Sequence, residues 1–345
     1  MYLIDVIAIS PQRTFTDEFI SGDFQIHTEG KMLAIEPSYM DLIPASLLRR
    51  MGKAVRMGIG AGLPLIKNYS SIEGVIIGTA NGGLEDCIKF LNQIVEYEEG
   101  VLTPTNFVSS TPNAVAGQLA MMGQKTGYNS THTNGSLSFD NVLLDASLYL
   151  NEQQQDATLL IGALEEISAY NYNIDQINEL YKDELVSNDE LLNTKTKGSI
   201  CGEGATMFVV SNNPNGAKVR YIDQFQITYP SKTNFSQLVE EFLKVNNLHP
   251  SEIDLLLFGN SGDVRHDHWY EDLHQDLFAD KPVYTYKQFC GDYRTSNGFA
   301  CYLAMELVRE DFKIHGFEVT SKPKYVLIYN QFLSARHGLI LFELL

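Results

Sequence analysis

Short apolar runs alternate along this chain with longer stretches of helical periodicity. Strand-like runs fall at residues 1–10 (MYLIDVIAIS), 75–77, 158–162, 206–210, 253–258, 325–329 and 339–344. A helical pattern follows the second of them over 85–96. Apolar runs too short to be helices, interleaved with amphipathic stretches, predict an α/β protein. From Ser136 onward, Leu137, Phe139, Leu143, Ala146 and Leu150 recur at helical spacing behind the turn residues Asn134 and Gly135. That places Ser136 at a helix N-terminus, where main-chain amides carry partial positive charge and would stabilise an oxyanion or a thiolate. The same position is equally that of an N-cap serine. Residues 170–197 are rich in Asn, Asp, Glu and Lys and read as a surface excursion. The turn cluster SNNPNGA at 211–217 suggests a boundary between halves 1–212 and 213–345.

Composition narrows the function classes. Lys and Arg number 25 against 43 Asp and Glu, a formal net charge of −18, which opposes binding to phosphate backbones or anionic lipid. The first ten residues contain Asp5 and lack a basic n-region, so a strand is expected there rather than a signal peptide, and no stretch is long enough to insert into a membrane. Cys87, Cys201, Cys290 and Cys301 are too widely spaced for a disulfide framework or a zinc knuckle, which suits a reducing cytoplasm.

Three blocks give the chain a family likeness. GTANGGLED at 78–86, TPTNFVSSTPNAVAGQLAMM at 103–122 and CGEGATMFVV at 201–210 occur in the order and spacing of the β-ketoacyl synthases, which the chain resembles over nearly its whole length. The resemblance implies a thiolase-like five-layered α/β/α/β/α fold of two related halves, with the nucleophile position in the first. Counting without gaps from Asn113 through Gly127, the family's active-site cysteine falls on Ser136. The first catalytic histidine is matched to Phe258 in FGNSGD. The second is matched to Asp292 in KQFCGD, which keeps Lys287 and Gly291. In the family these histidines support decarboxylation of malonyl-carrier protein. A phenyl ring offers no hydrogen bond, and a carboxylate would repel the incoming anion. A hydroxyl, unlike a thiol, also needs an adjacent base before it can attack a thioester. The family's glycine-rich gate over the acyl pocket becomes NQFLSARHG at 330–338, which retains Asn330 and Phe332 but carries Leu333, Ser334, Ala335 and Arg336. Side chains there are expected to close or fill the gate.

These departures imply a chain-length-factor-like subunit. It would be non-catalytic and would pair as a heterodimer with an active ketosynthase in fatty-acid-like, polyene (aryl polyene or flexirubin type) or polyketide biosynthesis. It would need no cofactor and would meet acyl carrier protein only indirectly. Asn106, Phe107 and Val108 would lie at the dimer interface and reach the partner's acyl tunnel. The competing reading is an acyltransferase with Ser136 as nucleophile and a base drawn from His132, His266 or His268. A metal site built from Asp263, His266, His268, Asp272 and His274 has suitable ligand types but no standard spacing, and a solvated acidic loop is the simpler expectation. Cys290, beside Gly291, is expected to be a buried free thiol.

Overall fold

The computed structural model describes residues 1–102, 104–319 and 321–345. Thr103, which opens the block at 103–122, lies outside the described residues. In chain order the strands are β1 (Tyr2–Ile9), β2 (Lys31–Met32), β3 (Ile72–Gly78), β4 (Asn129–His132), β5 (Thr158–Glu165), β6 (Cys201–Gly202), β7 (Gly204–Ser211), β8 (Val219–Thr228), β9 (Leu255–Phe258), β10 (Val283–Thr285), β11 (Tyr325–Phe332) and β12 (Arg336–Leu344). β2 and β6 form a small parallel pair of their own.

The other strands form a 10-stranded sheet in the order β10-β9-β11-β12-β8-β1-β7-β5-β3-β4. This order is a duplication. β4-β3-β5-β7-β1 and β10-β9-β11-β12-β8 share one pattern: the first three strands run parallel, and the next two pairings are antiparallel. The two sets touch only where Tyr2 meets Arg220 and Leu3 meets Val219. The sheet therefore behaves as two sheets joined at a seam.

The layers follow from which faces are apolar. The inward faces of both sheets enclose two central helices, Ser138–Glu152 and Asn297–Glu306. Every residue of the second is buried, as its all-round apolar sequence requires. Helices Lys53–Asn68 and Ala114–Met122 cover the outer face of the first sheet. Helices Phe235–Val245 and His268–Leu277 cover the outer face of the second. The result is the five-layered thiolase-like fold. No helix among the described residues is long and apolar enough to cross a membrane.

Strands β3, β5, β7, β9, β11 and β12 lie where the apolar runs predict them. β4 (NSTH), β8 and helix Lys53–Asn68 carry no such run and emerge only from the structure. The last residue of β3, Gly78, brings the first sheet against the start of the central helix. A Cβ there would stand 2.9 Å from the Ser138 carbonyl oxygen and 3.0 Å from Phe139 Cα. Because these neighbours are backbone, they cannot swing away. Gly78→Val is therefore expected to lower stability by about 1–3 kcal/mol, read from the urea unfolding midpoint, with no loss of secondary structure by circular dichroism.

Candidate active-site region

Ser136 lies in a single 3₁₀ turn, Gly135–Leu137, that precedes the central helix Ser138–Glu152. Gly135 has φ +57°, a conformation that favours glycine. Ser136 caps neither the turn nor the helix. It is 4% exposed, and its Oγ has no hydrogen-bond partner among the described residues. The histidines that might act as its base are engaged elsewhere. His132 Nε2 lies 2.7 Å from Asp145 Oδ2, His266 Nδ1 lies 2.8 Å from Ser334 Oγ, and the His268 ring lies tilted beside Trp269.

The other matched positions split into two groups. Lys287 and Asp292 come together, with Nζ 2.7 Å from Oδ1 and the lysine side chain buried. They line a cavity of only about 20 Å³ with Ser261, His266, Gln331 and Phe332. That is space for about one water molecule, far below what an acyl group needs. Phe258 is not brought to this cleft. Alternation along β9 sends Leu255 and Leu257 inward and Leu256 and Phe258 outward. Its ring packs 5.6 Å from Tyr270 and 5.7 Å from Tyr329 in the outer aromatic cluster. The following residue, Gly259, points the opposite way. A Cβ there would meet Asn330 Oδ1 at 2.5 Å and Tyr286 OH at 2.7 Å, so Asn330 and Tyr286 already fill the space a larger side chain would need. Neither position offers an imidazole.

The segment expected to form a gate is the turn between β11 and β12. Leu333 and Ser334 have φ +53° and +54°, the left-handed pair of a tight hairpin, here adopted without glycine. Several contacts hold this turn. Ser334 N donates to Gln331 Oε1 at 2.8 Å, Ser334 Oγ meets His266, and Arg336 Nη1 donates at 2.9 Å to the carbonyl of Asn134, beside Ser136. Arg294 sits 5.2 Å from the Phe332 ring centroid and is itself held by both oxygens of Asp175. The turn is fastened at both ends over the Ser136 loop.

The proposed metal ligands are dispersed. Asp263 pairs with Arg265, Asp272 with Lys232, and His274 donates to the Lys281 carbonyl. No cluster able to hold a metal ion occurs among the described residues. Cys290 is fully buried, and burial pushes its thiol well above the ordinary range.

Asn106, Phe107 and Val108 lie on the short helix Pro104–Ser109. Phe107 and Val108 are both 58% exposed, and Phe107 leans on Phe90 at 5.4 Å. Nearby, β4 ends the sheet, with no strand on its far side among the described residues. Exposed Leu144 and Leu148 flank it on the central helix, and exposed Met121 lies on helix Ala114–Met122, which packs against it.

Residues 27–181 match the family described as "Beta-ketoacyl synthase, N-terminal domain". A beta-ketoacyl synthase from Burkholderia phymatum STM815 superposes with a TM-score of 0.77 at 15% identity, covering 100% of this chain and 99% of its own. The chain has a ketosynthase-like fold. The ishigamide ketosynthase/chain length factor matches at TM-score 0.77 and 12% identity, covering 100% of this chain and 98% of the other. A ketosynthase in complex with its chain length factor from Xenorhabdus doucetiae matches at 0.75 and 14%, with the same coverage. No curated protein sequence matches.

Two buried acids shape the interior of this ketosynthase-like chain, and the sequence reading passed over both. Glu165 accepts from the Asn81 amide and the Thr79 hydroxyl, each at 3.2 Å, and from the Ala80 amide, which fixes the glycine-rich turn after β3. Asp140, in the first turn of the central helix, accepts from Asn297 Nδ2 at 2.7 Å, while its Oδ1 has no partner among the described residues. Burial pushes the Asp140 carboxyl up to about 7 from its usual value of 3.8. A raised carboxyl binds a proton more tightly in the folded than in the unfolded state, so its contribution to stability falls as pH rises from about 4 to 7. Asp140→Asn is expected to remove that fall. The variant should gain on the wild type between pH 4 and 7, measured as the difference in denaturation midpoints.

Proposed function

We propose that this chain is a non-catalytic, chain-length-factor-like subunit that pairs with an active ketosynthase. The observation that carries the proposal is the state of Ser136, a buried hydroxyl with no base within hydrogen-bonding distance among the described residues. Serine at its ordinary pKa does not attack a thioester unaided. The rest of the region supports the same reading. The second family histidine position carries Asp292, neutralised by Lys287, and the first carries Phe258, turned into the outer core. The cavity beside Asp292 is too small for an acyl chain, and Arg336 and His266 hold the gate turn.

The pairing surface would be the free edge of β4 with its exposed flanks. Sheet continuation across this edge satisfies unpaired amides and carbonyls, while Leu144, Leu148 and Met121 leave water. Asn106, Phe107 and Val108 stand beside this edge, where they could project into the partner's acyl tunnel and set its depth. The first half, 1–212, would carry the pairing edge, and the second half, 213–345, would complete the central layer. Acyl carrier protein would be engaged through the partner, in an assembly line of the fatty-acid, polyene or polyketide type.

The test is reconstitution with an intact Cys-His-His ketosynthase and its carrier protein. Ser136→Ala should leave the complex's elongation rate within about twofold, because no chemistry is assigned to that oxygen. Leu148→Glu should split the complex on size-exclusion chromatography by burying a charge in the interface. Loss of elongation on Ser136→Ala with the complex intact would replace this reading with an acyltransferase one.

A further inference from the structure

A cavity of about 250 Å³ lies at the far edge of the second sheet, separate from the Lys287–Asp292 cleft. It lies between helix His268–Leu277 and the end of the sheet formed by β9 and β10, the last strand on that side. Its roof is one face of that helix and its cap, Asp267, Tyr270, Glu271 and His274, at the spacing that puts side chains in line. Its floor is the outward face of the sheet edge, where Phe258 pairs in register with Thr285 and Leu256 with Val283. β9 and β10 run parallel, and the cavity opens at their carboxyl ends, where open α/β sheets usually hold ligands.

The lining also defines what would fit. Leu192 and Val283, both half-buried, supply the apolar walls, Phe258 and Tyr270 being only 1% exposed each, and Asn260 and Thr285 add polar side chains. Glu271 is exposed and has no ion-pair or hydrogen-bond partner for its carboxylate among the described residues. His274 Nε2 donates to the Lys281 carbonyl at 3.1 Å, which leaves Nδ1 of the neutral ring as an acceptor. Asp267 takes the Ser261 and Gly262 amides. No Lys or Arg lines the cavity. A free carboxylate beside aliphatic walls, with no cationic side chain in the lining, disfavours an anion and suits a positively charged head on an apolar body. We propose that this cavity is a binding site for a small organic cation, an arylalkyl amine in size and chemistry, with the ammonium at Glu271 and the hydrocarbon against Leu192 and Val283.

The inference does not depend on the pairing role, since the cavity and β4 lie at opposite ends of the sheet. It is tested on the full chain by calorimetric and saturation-transfer NMR titration with three probes of matched size: phenethylammonium, 2-phenylethanol and phenylacetate. The cation should bind tightest and phenylacetate weakest. Glu271→Gln should weaken the cation by about tenfold and leave 2-phenylethanol nearly unchanged. Val283→Trp, with its fold checked by circular dichroism, should fill the cavity and abolish binding of both. Equal or tighter binding of the neutral or anionic probe, unaltered binding to Val283→Trp, or no binding of the cation at millimolar concentration would each overturn the proposal.

Discussion

The Ser136 hydroxyl sits inside the protein without a hydrogen-bond partner among the described residues, and three neighbouring elements hold it so. Gly78 brings β3 against the start of the central helix, Gly135 turns the chain with a positive φ, and Arg336 ties the β11–β12 turn to the carbonyl of Asn134. The sequence resemblance implies the nucleophile position here. A serine there is inert unless a base removes its proton; it has no hydrogen-bond partner among the described residues, and His132 and His266 bond to Asp145 and Ser334.

The duplicated sheet explains how such a change can be tolerated. Each half has its own outer core, and the two share one inner core around Ser138–Glu152 and Asn297–Glu306. Residues at the junction therefore contribute to stability as well as lying where chemistry would occur. Asn330 and Tyr286 close the space in front of Gly259, Lys287 neutralises Asp292, and Asn297 holds Asp140. Placing an imidazole at 259 would require Asn330 and Tyr286 to move.

Much of the fold was legible because buried strands such as β5 and β7, apolar on both faces, stand out as continuous runs. β4 did not, since an edge strand reading NSTH has no apolar face to reveal. Helix Lys53–Asn68 was obscured by Gly58, Gly60, Gly62 and Pro64, residues that ordinarily argue against a helix. At the site, the sequence resemblance singled out Ser136, Phe258 and Asp292, of which only Asp292 lies in the small cavity beside Lys287. The orientation of Phe258 was not legible, because a shift of one residue along a strand exchanges the two faces. The Asp140–Asn297 contact joins residues 157 apart, which no local pattern announces. The exposed edge at β4 and the cavity beside β10 are likewise properties of tertiary arrangement.

The central claim is that no acyl group passes through this chain. Its most direct test is the intact mass of each subunit after the purified complex is incubated with acyl-loaded carrier protein. The account predicts an acyl adduct on the partner ketosynthase and an unchanged mass for this chain. An adduct on this chain that peptide mapping places on Ser136 would contradict it.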